Sequence, residues 1–162
     1  MSNIQSRLRQ LGLVPSEPFR SPTGAAYPFV WVRRRGDTAW VSGHLPLNPD
    51  GTLAQPLGKV GGEVSPEQGA EAARKVALAM LGSLRRELGD LERVVAWRRV
   101  LGMVNAAPGF TRLPAVINGF SELILELYGP ERGAHARSAV GMAELPFGVP
   151  VEIEAEVEVE PS

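Results

Sequence analysis

The sequence predicts an α+β domain in which two main helices pack on one face of a mixed β-sheet. The predicted elements follow the order strand, strand, helix, strand, helix, strand, strand. Two long stretches carry apolar residues at helical spacing, whereas the strand-like stretches alternate with a period of two. At 162 residues and 44% hydrophobic content, the chain has the size and apolar material of one domain, to which we assign residues 1–162.

The composition narrows the function classes. A formal net charge of −1 gives no broad electrostatic attraction to nucleic acid, which we do not expect as a partner. The absence of cysteine excludes disulfides, thiolate metal sites and a cysteine nucleophile, and it fits a reducing compartment. Residues 1–12 are polar, so we see no signal peptide, and no apolar run approaches the ~20 residues of a membrane span. We therefore expect a cytoplasmic protein.

A short N-terminal extension of about residues 1–13 precedes the domain core. Apolar residues at helical spacing predict an amphipathic helix over 3–11, which Gly12 ends. This helix packs either on its own domain or on a neighbouring subunit, and the sequence leaves both open. Residues 14–28 are rich in proline, serine and glycine and predict a loop.

The first two strands are predicted over 29–35 and 38–42, around a hairpin-like turn. Three consecutive arginines at 33–35 lie at its tip. They contact either a phosphate or RNA, or they form a solvated hairpin tip, and we favour the solvated tip. We expect Trp31 and Trp40 to pack rather than to stack on a ligand.

The clearest helix runs from Ser65 to Leu88. Ser65 can serve as the N-cap, Pro66 takes the first helical position and Gln68 completes a capping box. An apolar stripe along the helix predicts the face that turns to the core, and Gly89 ends the helix.

A further strand is predicted within 91–104, and the second main helix follows from Pro114 to about Tyr128. Apolar residues at helical spacing face inward along this helix, and Gly129 ends it. Asn118 lies in its first turns, where asparagine is a poor helix former. It is therefore either a surface residue or a functional one.

The segment from His135 to Glu158 reads as strand, turn, strand. Arg137 shares its strand face mostly with small residues, which leave room for a planar carboxylate that arginine can bind with two hydrogen bonds. Glu152 begins a row of acids that face away from the apolar side of the last strand. Alternatively, Arg137 and the acids form a solvated sheet face of ordinary surface charges, which the pattern alone favours.

The spacing of Arg137 and Glu152 sets a condition on a shared site. If the last two strands paired as a tight hairpin, Arg137 would lie opposite Glu158, and Glu152 would be about 20 Å away along the strand. One small ligand could not touch both residues. Either these strands are not hairpin partners, or the site lies between chains.

Several short motifs lie at the predicted strand ends and in the second main helix. They are, in chain order, VSGHLPLNP at 41–49, VING at 116–119, RSAV at 137–140, LP at 145–146 and VEIE at 151–154. In this order they resemble the motifs of the RidA/YjgF family, the reactive intermediate deaminases. The segments at 104–110 and 135–137 resemble a somewhat longer subgroup of that family.

The resemblance implies a chorismate-mutase-like fold and a homotrimer whose sheets pack inward, with substrate clefts at the subunit interfaces. By position, Arg137 would hold the substrate carboxylate, and Glu152 would align water and move a proton. The backbone of Gly43 and of Ala139 would contact substrate or water, and Asn118 would line the pocket.

Three positions depart from the family pattern. Phe29 stands where many members carry a pocket tyrosine, so that the hydroxyl is absent. Ala139 stands where the best-known deaminases have cysteine, and His44 replaces a common glutamine. Since His135 is the only other histidine and neither lies in a ligand cluster, we predict no metal, and the resemblance implies no cofactor.

The implied activity is the hydrolysis of an imine or enamine derived from an amino acid, such as 2-aminoacrylate, to a 2-keto acid and ammonia. The implied partners are further copies of this chain and a small carboxylate-bearing metabolite. The alternative is a non-catalytic trimeric metabolite-binding or interaction protein that uses the same cleft. Some family members carry the label endoribonuclease, but the only basic run here is at 33–35.

Overall fold

The computed structural model describes residues 3–161, and the first two residues of the predicted extension lie outside that range. The helices are α1 (Ile4–Gln10), α2 (Pro66–Leu88) and α3 (Leu113–Gly133). The strands are β1 (Val32–Arg35), β2 (Thr38–His44), β3 (Val94–Asn105), β4 (Ala136–Met142) and β5 (Val151–Val159). This order confirms the predicted succession of elements. None of these helices within 3–161 is long and apolar enough to cross a membrane.

The predicted capping box forms at the start of α2. Ser65 Oγ accepts a hydrogen bond from the backbone N–H of Gln68 at 3.1 Å, and Gln68 Oε1 accepts one from the N–H of Ser65 at 2.9 Å. At the other end, Gly89 has a φ of 83°, where a residue with a Cβ would be strained. Local chemistry thus fixes both ends of the helix.

Helix α3 runs one turn further than predicted. Gly129 leaves the helical conformation with φ 74° and ψ 173°, and Pro130 then opens a last turn that ends at Gly133. Earlier in the helix, Gly119 lies so close to α2 that a Cβ there would be 1.9 Å from the carbonyl oxygen of Ala70. This close approach of two backbones fixes how α3 crosses α2.

The five strands form one mixed sheet in the order β1-β2-β5-β3-β4. Only β3 and β4 pair in parallel, and the other three pairs are antiparallel. Helices α2 and α3 cover one face, where Ile153 and Val157 of β5 are fully buried in the core. The predicted α+β architecture with two helices on one face of a mixed sheet is confirmed.

Strand β5 lies between β2 and β3, so that β4 and β5 are not hairpin partners. A 3-10 turn at Pro146–Gly148 leads the chain out of the edge strand β4 and towards the centre of the sheet. Phe147 at φ 59° and Gly148 at φ 71° both take the left-handed conformation within this connection. The first alternative from the sequence is therefore correct: these strands do not pair.

Two predicted strand bounds are wrong. Strand β1 begins at Val32 rather than Phe29, because residues 28–29 form bends and Pro28 has no N–H to give to a ladder. Strand β2 continues to His44, beyond the predicted end, through an irregularity between Val41 and His44.

Helix α1 packs on its own chain. Ile4 and Leu8 are 2% exposed and belong to the main core, and the N–H of Ile4 donates to Glu92 Oε1. An Arg7 guanidinium nitrogen, Nη1, donates to the carbonyl oxygen of Leu127 on α3 at 2.6 Å. These contacts settle the question that the sequence left open for this helix.

Candidate functional site

Arg137 lies near the start of the edge strand β4 and turns towards helix α3. Its Nη1 donates to Asn118 Oδ1 at 2.8 Å and to Ser121 Oγ at 3.1 Å. Its Nη2 donates to the carbonyl oxygen of Pro114 at 3.4 Å. Two of the predicted site residues, Asn118 and Arg137, are thus brought together, and the first turns of α3 hold the guanidinium from one side.

These contacts leave one edge of the Arg137 guanidinium available. A guanidinium has five N–H donors in a planar fork, and α3 takes both of those on Nη1 and one on Nη2. Within residues 3–161 no acceptor lies at hydrogen-bond distance from Nε. The Nε–H and the second Nη2–H are parallel donors, which is the arrangement that binds a carboxylate with two hydrogen bonds.

Ala139 lies two residues along the same strand and faces the same helix. It pairs with Gly102 of β3, where a Cβ would lie 2.6 Å from Ile117 on α3. Ala139 is half-buried and packs against the main core. We call Asn118, Arg137 and Ala139 the arginine half-site.

Glu152 lies on the opposite side of the sheet, next to Gly43. A Cβ built on Gly43 would be 3.0 Å from both Cδ and Oε1 of Glu152. The absence of a side chain at position 43 therefore lets the carboxylate rest against the backbone of β2. We call Gly43 and Glu152, which the sequence placed in one site, the glutamate half-site.

The environment of Glu152 disfavours its charged form. Burial raises the pKa of its carboxyl group, and the negative charge of Glu154 raises that pKa further. Among the acids of β5, Glu156 and Glu158 pair with Arg98 at 3.7 and 3.2 Å. Within 3–161, no cation or hydrogen-bond donor pairs with Glu152. A half-buried, unpaired carboxyl group is suited to exchange protons.

Phe29 belongs to neither half-site in one chain. Its ring lies in an aromatic cluster, 5.6 Å from Tyr27 and 5.0 Å from Trp31 between ring centroids, yet it stays 48% exposed. The N–H of Ser42 donates to the carbonyl oxygen of Trp31 at 3.0 Å. The segment that carries Phe29 therefore runs beside the β2 end of the glutamate half-site.

The two half-sites face opposite sides of the sheet. Arg137 pairs with Val100, and Val100 pairs with Ala155, whose side chain turns to the helices. Glu152 lies an odd number of residues from Ala155 on the same strand, so its side chain turns the other way. The interpretation that Arg137 and the acids share one solvated face is therefore wrong. Alternation separates the two faces of one strand, but it does not show which face of another strand lies on the same side of the sheet.

One sheet face stays uncovered in the single chain. A concavity of about 410 Å³ lies on it, with Trp40, Arg99 and Leu101 among the residues that line it. Trp40 is 46% exposed there and does not pack within the single chain, so that its packing rather than stacking on a ligand stays a prediction. Trp31, in contrast, packs as predicted among the rings of Phe19, Tyr27 and Phe29.

The comparisons with known proteins identify the family of this chain. The family model described as endoribonuclease L-PSP matches residues 20–159. The chain belongs to this family, the RidA/YjgF family. The protein TCP17 of Trypanosoma cruzi is 44% identical over 158 residues, which cover 96% of this chain and 94% of TCP17.

Solved structures of similar proteins share the fold over nearly the whole chain. Atu1372 of Agrobacterium tumefaciens is 36% identical, with a TM-score of 0.83 over 96% of this chain and 91% of that chain. A protein of Shewanella oneidensis MR-1, provisionally named as an endoribonuclease, is 25% identical, with a TM-score of 0.88 over 98% of this chain and all of that chain.

The RidA/YjgF motifs lie where the two half-sites form. The SGHLP motif closes β2 at the glutamate half-site, VING lies in α3, and RSAV opens β4. As for metal ions, no three His, Asp or Glu side chains within 3–161 come together as a ligand set.

Sequence reasoning missed the hydrogen bonds that the two histidines make. His44 is buried, with Nδ1 2.6 Å from the Ser42 carbonyl oxygen and Nε2 2.8 Å from Oγ of Ser83 on α2. Burial lowers the pKa of His44 to about 4, so the ring is neutral at pH 7. Alternation along β4 does place His135 on the face of Arg137, and this was the available signal.

Proposed function

We propose that this protein hydrolyses imines or enamines derived from amino acids, giving 2-keto acids and ammonia, at clefts between the subunits of a homotrimer. The observation that supports this proposal is the separation of the half-sites. An arginine with a free two-donor edge and an unpaired, half-buried carboxyl group lie on opposite sides of one chain's sheet. A second copy can bring the two together where one copy cannot.

Substrate binding follows from the free edge of Arg137. The substrate carboxylate would accept hydrogen bonds from Nε and Nη2, while Asn118 and the Pro114 carbonyl hold the other side of the guanidinium. The imine carbon would then extend away from α3 towards the next subunit. Since the substrate is already reactive, holding it in one orientation supplies much of the required acceleration.

Glu152 would supply the proton transfer. Its carboxylate accepts a proton from water as the water oxygen bonds to the imine carbon, and it passes that proton to the imine nitrogen, so that the C=N bond becomes a C–N single bond. The carboxylate then takes the proton of the new hydroxyl group as the C=O bond forms and delivers it to the nitrogen as the C–N bond breaks and ammonia leaves. Because its pKa is raised, Glu152 populates its protonated form at higher pH than an exposed glutamate does, which favours both the uptake and the return of a proton. Backbone groups of Gly43 and Ala139 would contact water and substrate.

The proposed trimer also accounts for the uncovered sheet face. A head-to-tail contact that closes after three copies presents different surfaces of each chain to one another, which is what joining an arginine half-site to a glutamate half-site requires. It would also cover Trp40, which is 46% exposed in the single chain. We expect light scattering at micromolar concentration to give three times the chain mass of 17.4 kDa. A monomer would contradict the shared site.

The activity is tested by supplying imines generated in place by an amino-acid oxidase. We expect acceleration of ammonia and keto-acid release, and loss of at least about 100-fold in kcat/KM in Arg137→Ala, because a charge-assisted carboxylate contact is removed. Arg9→Ala, an exposed arginine on α1, is the matched control and should behave as the unaltered protein.

The non-catalytic alternative predicts a different result from the same sample. A protein of trimeric mass that binds 2-keto acids yet accelerates the hydrolysis of no imine would be a metabolite-binding protein using the Arg137 anchor. The structure does not support RNA as the substrate, since the exposed arginines at 33 and 35 lie on the edge strand β1, at the opposite edge of the sheet from Arg137.

A further inference from the structure

His135 and Ser121 form a hydrogen-bonded chain that ends on Arg137. His135 Nδ1 lies 2.7 Å from the carbonyl oxygen of Gly133, and its Nε2 lies 2.9 Å from Ser121 Oγ. Ser121 Oγ in turn lies 3.1 Å from Arg137 Nη1. Through the side chains of His135, Ser121 and Arg137, this hydrogen-bonded chain links the last turn of α3, the middle of α3 and the start of β4.

The acceptors in this chain fix where its protons lie. A carbonyl oxygen only accepts, so Nδ1 of His135 carries a proton and donates to Gly133. In the neutral ring Nε2 is then an acceptor, and the Ser121 hydroxyl must donate to it. The oxygen lone pairs of Ser121 are thereby turned towards Arg137, whose Nη1 only donates.

We propose that Ser121 and His135 are positioning residues that hold the Arg137 guanidinium with its Nε and Nη2 edge facing the ligand. This inference rests on the proposed role of Arg137 as a carboxylate anchor. Without Ser121, only Asn118 and the long 3.4 Å bond to the Pro114 carbonyl oxygen would hold the guanidinium, whereas Asn118 and Ser121 together occupy both donors of Nη1. The plane of the guanidinium is then defined before any ligand arrives.

A second hydrogen-bonded chain of the same build holds another arginine in this fold. His44 Nε2 lies 2.8 Å from Ser83 Oγ, which also accepts a hydrogen bond from Arg86 Nη2 at 3.1 Å. The other terminal nitrogen of Arg86 donates to the Ser16 carbonyl oxygen at 2.9 Å, as Nη2 of Arg137 donates to the carbonyl oxygen of Pro114.

Beyond its contacts with α3, Arg137 keeps donors on Nε and Nη2 that have no acceptor within 3–161. The surroundings of His135 also favour its neutral form: burial lowers its pKa, and the charge of Arg137 lowers it further. The ring of Phe120, which packs edge-on with a centroid distance of 6.3 Å, adds no charge to that environment.

The experiment measures pyruvate binding to the full-length protein by calorimetry in four variants of Ser121 and His135 and in one control variant. We expect Ser121→Ala to weaken binding roughly 10-fold and Ser121→Thr, which keeps the hydroxyl, to stay within about 2-fold of the unaltered protein. His135→Gln keeps an acceptor near the Nε2 position and should bind more tightly than His135→Asn, which does not. Ser6→Ala removes a half-buried serine, far along the chain from Arg137, that accepts a hydrogen bond from Arg9 at 3.1 Å, and it serves as the matched control.

A second measurement judges the inference without any ligand. The chain has two histidines, so ¹⁵N-labelled imidazoles give a simple spectrum. We expect His135 to be the Nδ1–H tautomer at pH 7.5, and its Nε2 resonance to shift in Ser121→Ala but not in Ser6→Ala.

An Nε2–H tautomer, or Ser121→Ala binding pyruvate as the unaltered protein does, would overturn the positioning role. Absence of pyruvate binding by the unaltered protein would count against the proposed function of Arg137. The imidazole spectrum alone would then test whether the hydrogen-bonded chain from His135 to Arg137 exists.

Discussion

Glu152→Gln is expected to abolish imine turnover, with kcat falling by about 10²–10⁴, while the affinity for pyruvate stays unchanged. Glutamine has nearly the same shape and still fits against Gly43, but it cannot take a proton from water. Ligand anchoring depends on Arg137, on the other half-site, and is left intact. Single-turnover kinetics with oxidase-generated imine, together with calorimetry, measure the two effects separately. Equal loss of affinity and turnover would contradict a role in proton transfer.

Glu154→Gln is the matched control on the same strand and the same face. It should retain turnover, since the Glu154 side chain is exposed and does not contact Gly43. Because the charge of Glu154 raises the pKa of Glu152, its removal lowers that pKa. Turnover requires the deprotonated base, so the acid limb of the kcat profile should move to lower pH in Glu154→Gln. A shift to higher pH would contradict the assignment of that limb to Glu152.

The fold follows from the sequence as far as local chemistry decides it. The Ser65 capping box, the glycine after α2 and the alternation in β5 each depend on residues a few positions apart, and each was read correctly. Which strands become neighbours depends on contacts between distant segments. Alternation in β4 and β5 indicates that each strand has two different faces, but it does not indicate that β3 lies between the two strands.

The candidate site was likewise predicted in part. The motifs placed Asn118 and Arg137 in one pocket, and Asn118 Oδ1 lies 2.8 Å from Arg137 Nη1. That Glu152 faces the other side of the sheet depends on strand register, which no spacing within β5 reveals. Ser121 lies three residues after Asn118, one helical turn along, so its place on the same helix face could have been predicted from the sequence. Its bond to His135 requires the extra turn of α3, which the sequence did not predict.

Mixing two inactive variants provides the test with the largest expected effect, because it recovers activity from chains that each lack it. If one subunit supplies Glu152 and the next supplies Arg137, co-expressed Arg137→Ala and Glu152→Gln chains form trimers with one intact site wherever the two kinds meet in the right order. Random assembly from equal amounts gives about a quarter of the wild-type number of sites.

The control pairs two variants from the same half-site, Glu152→Gln with Gly43→Val, in which a valine side chain would displace the Glu152 carboxylate. No arrangement of these chains restores a glutamate half-site, so their mixture should stay inactive. Recovery of about a quarter in the first mixture with none in the second requires that the half-sites come from different chains. No recovery in either mixture would place catalysis within one chain, where Arg137 and Glu152 lie on opposite faces of the sheet, and the proposed mechanism would fail.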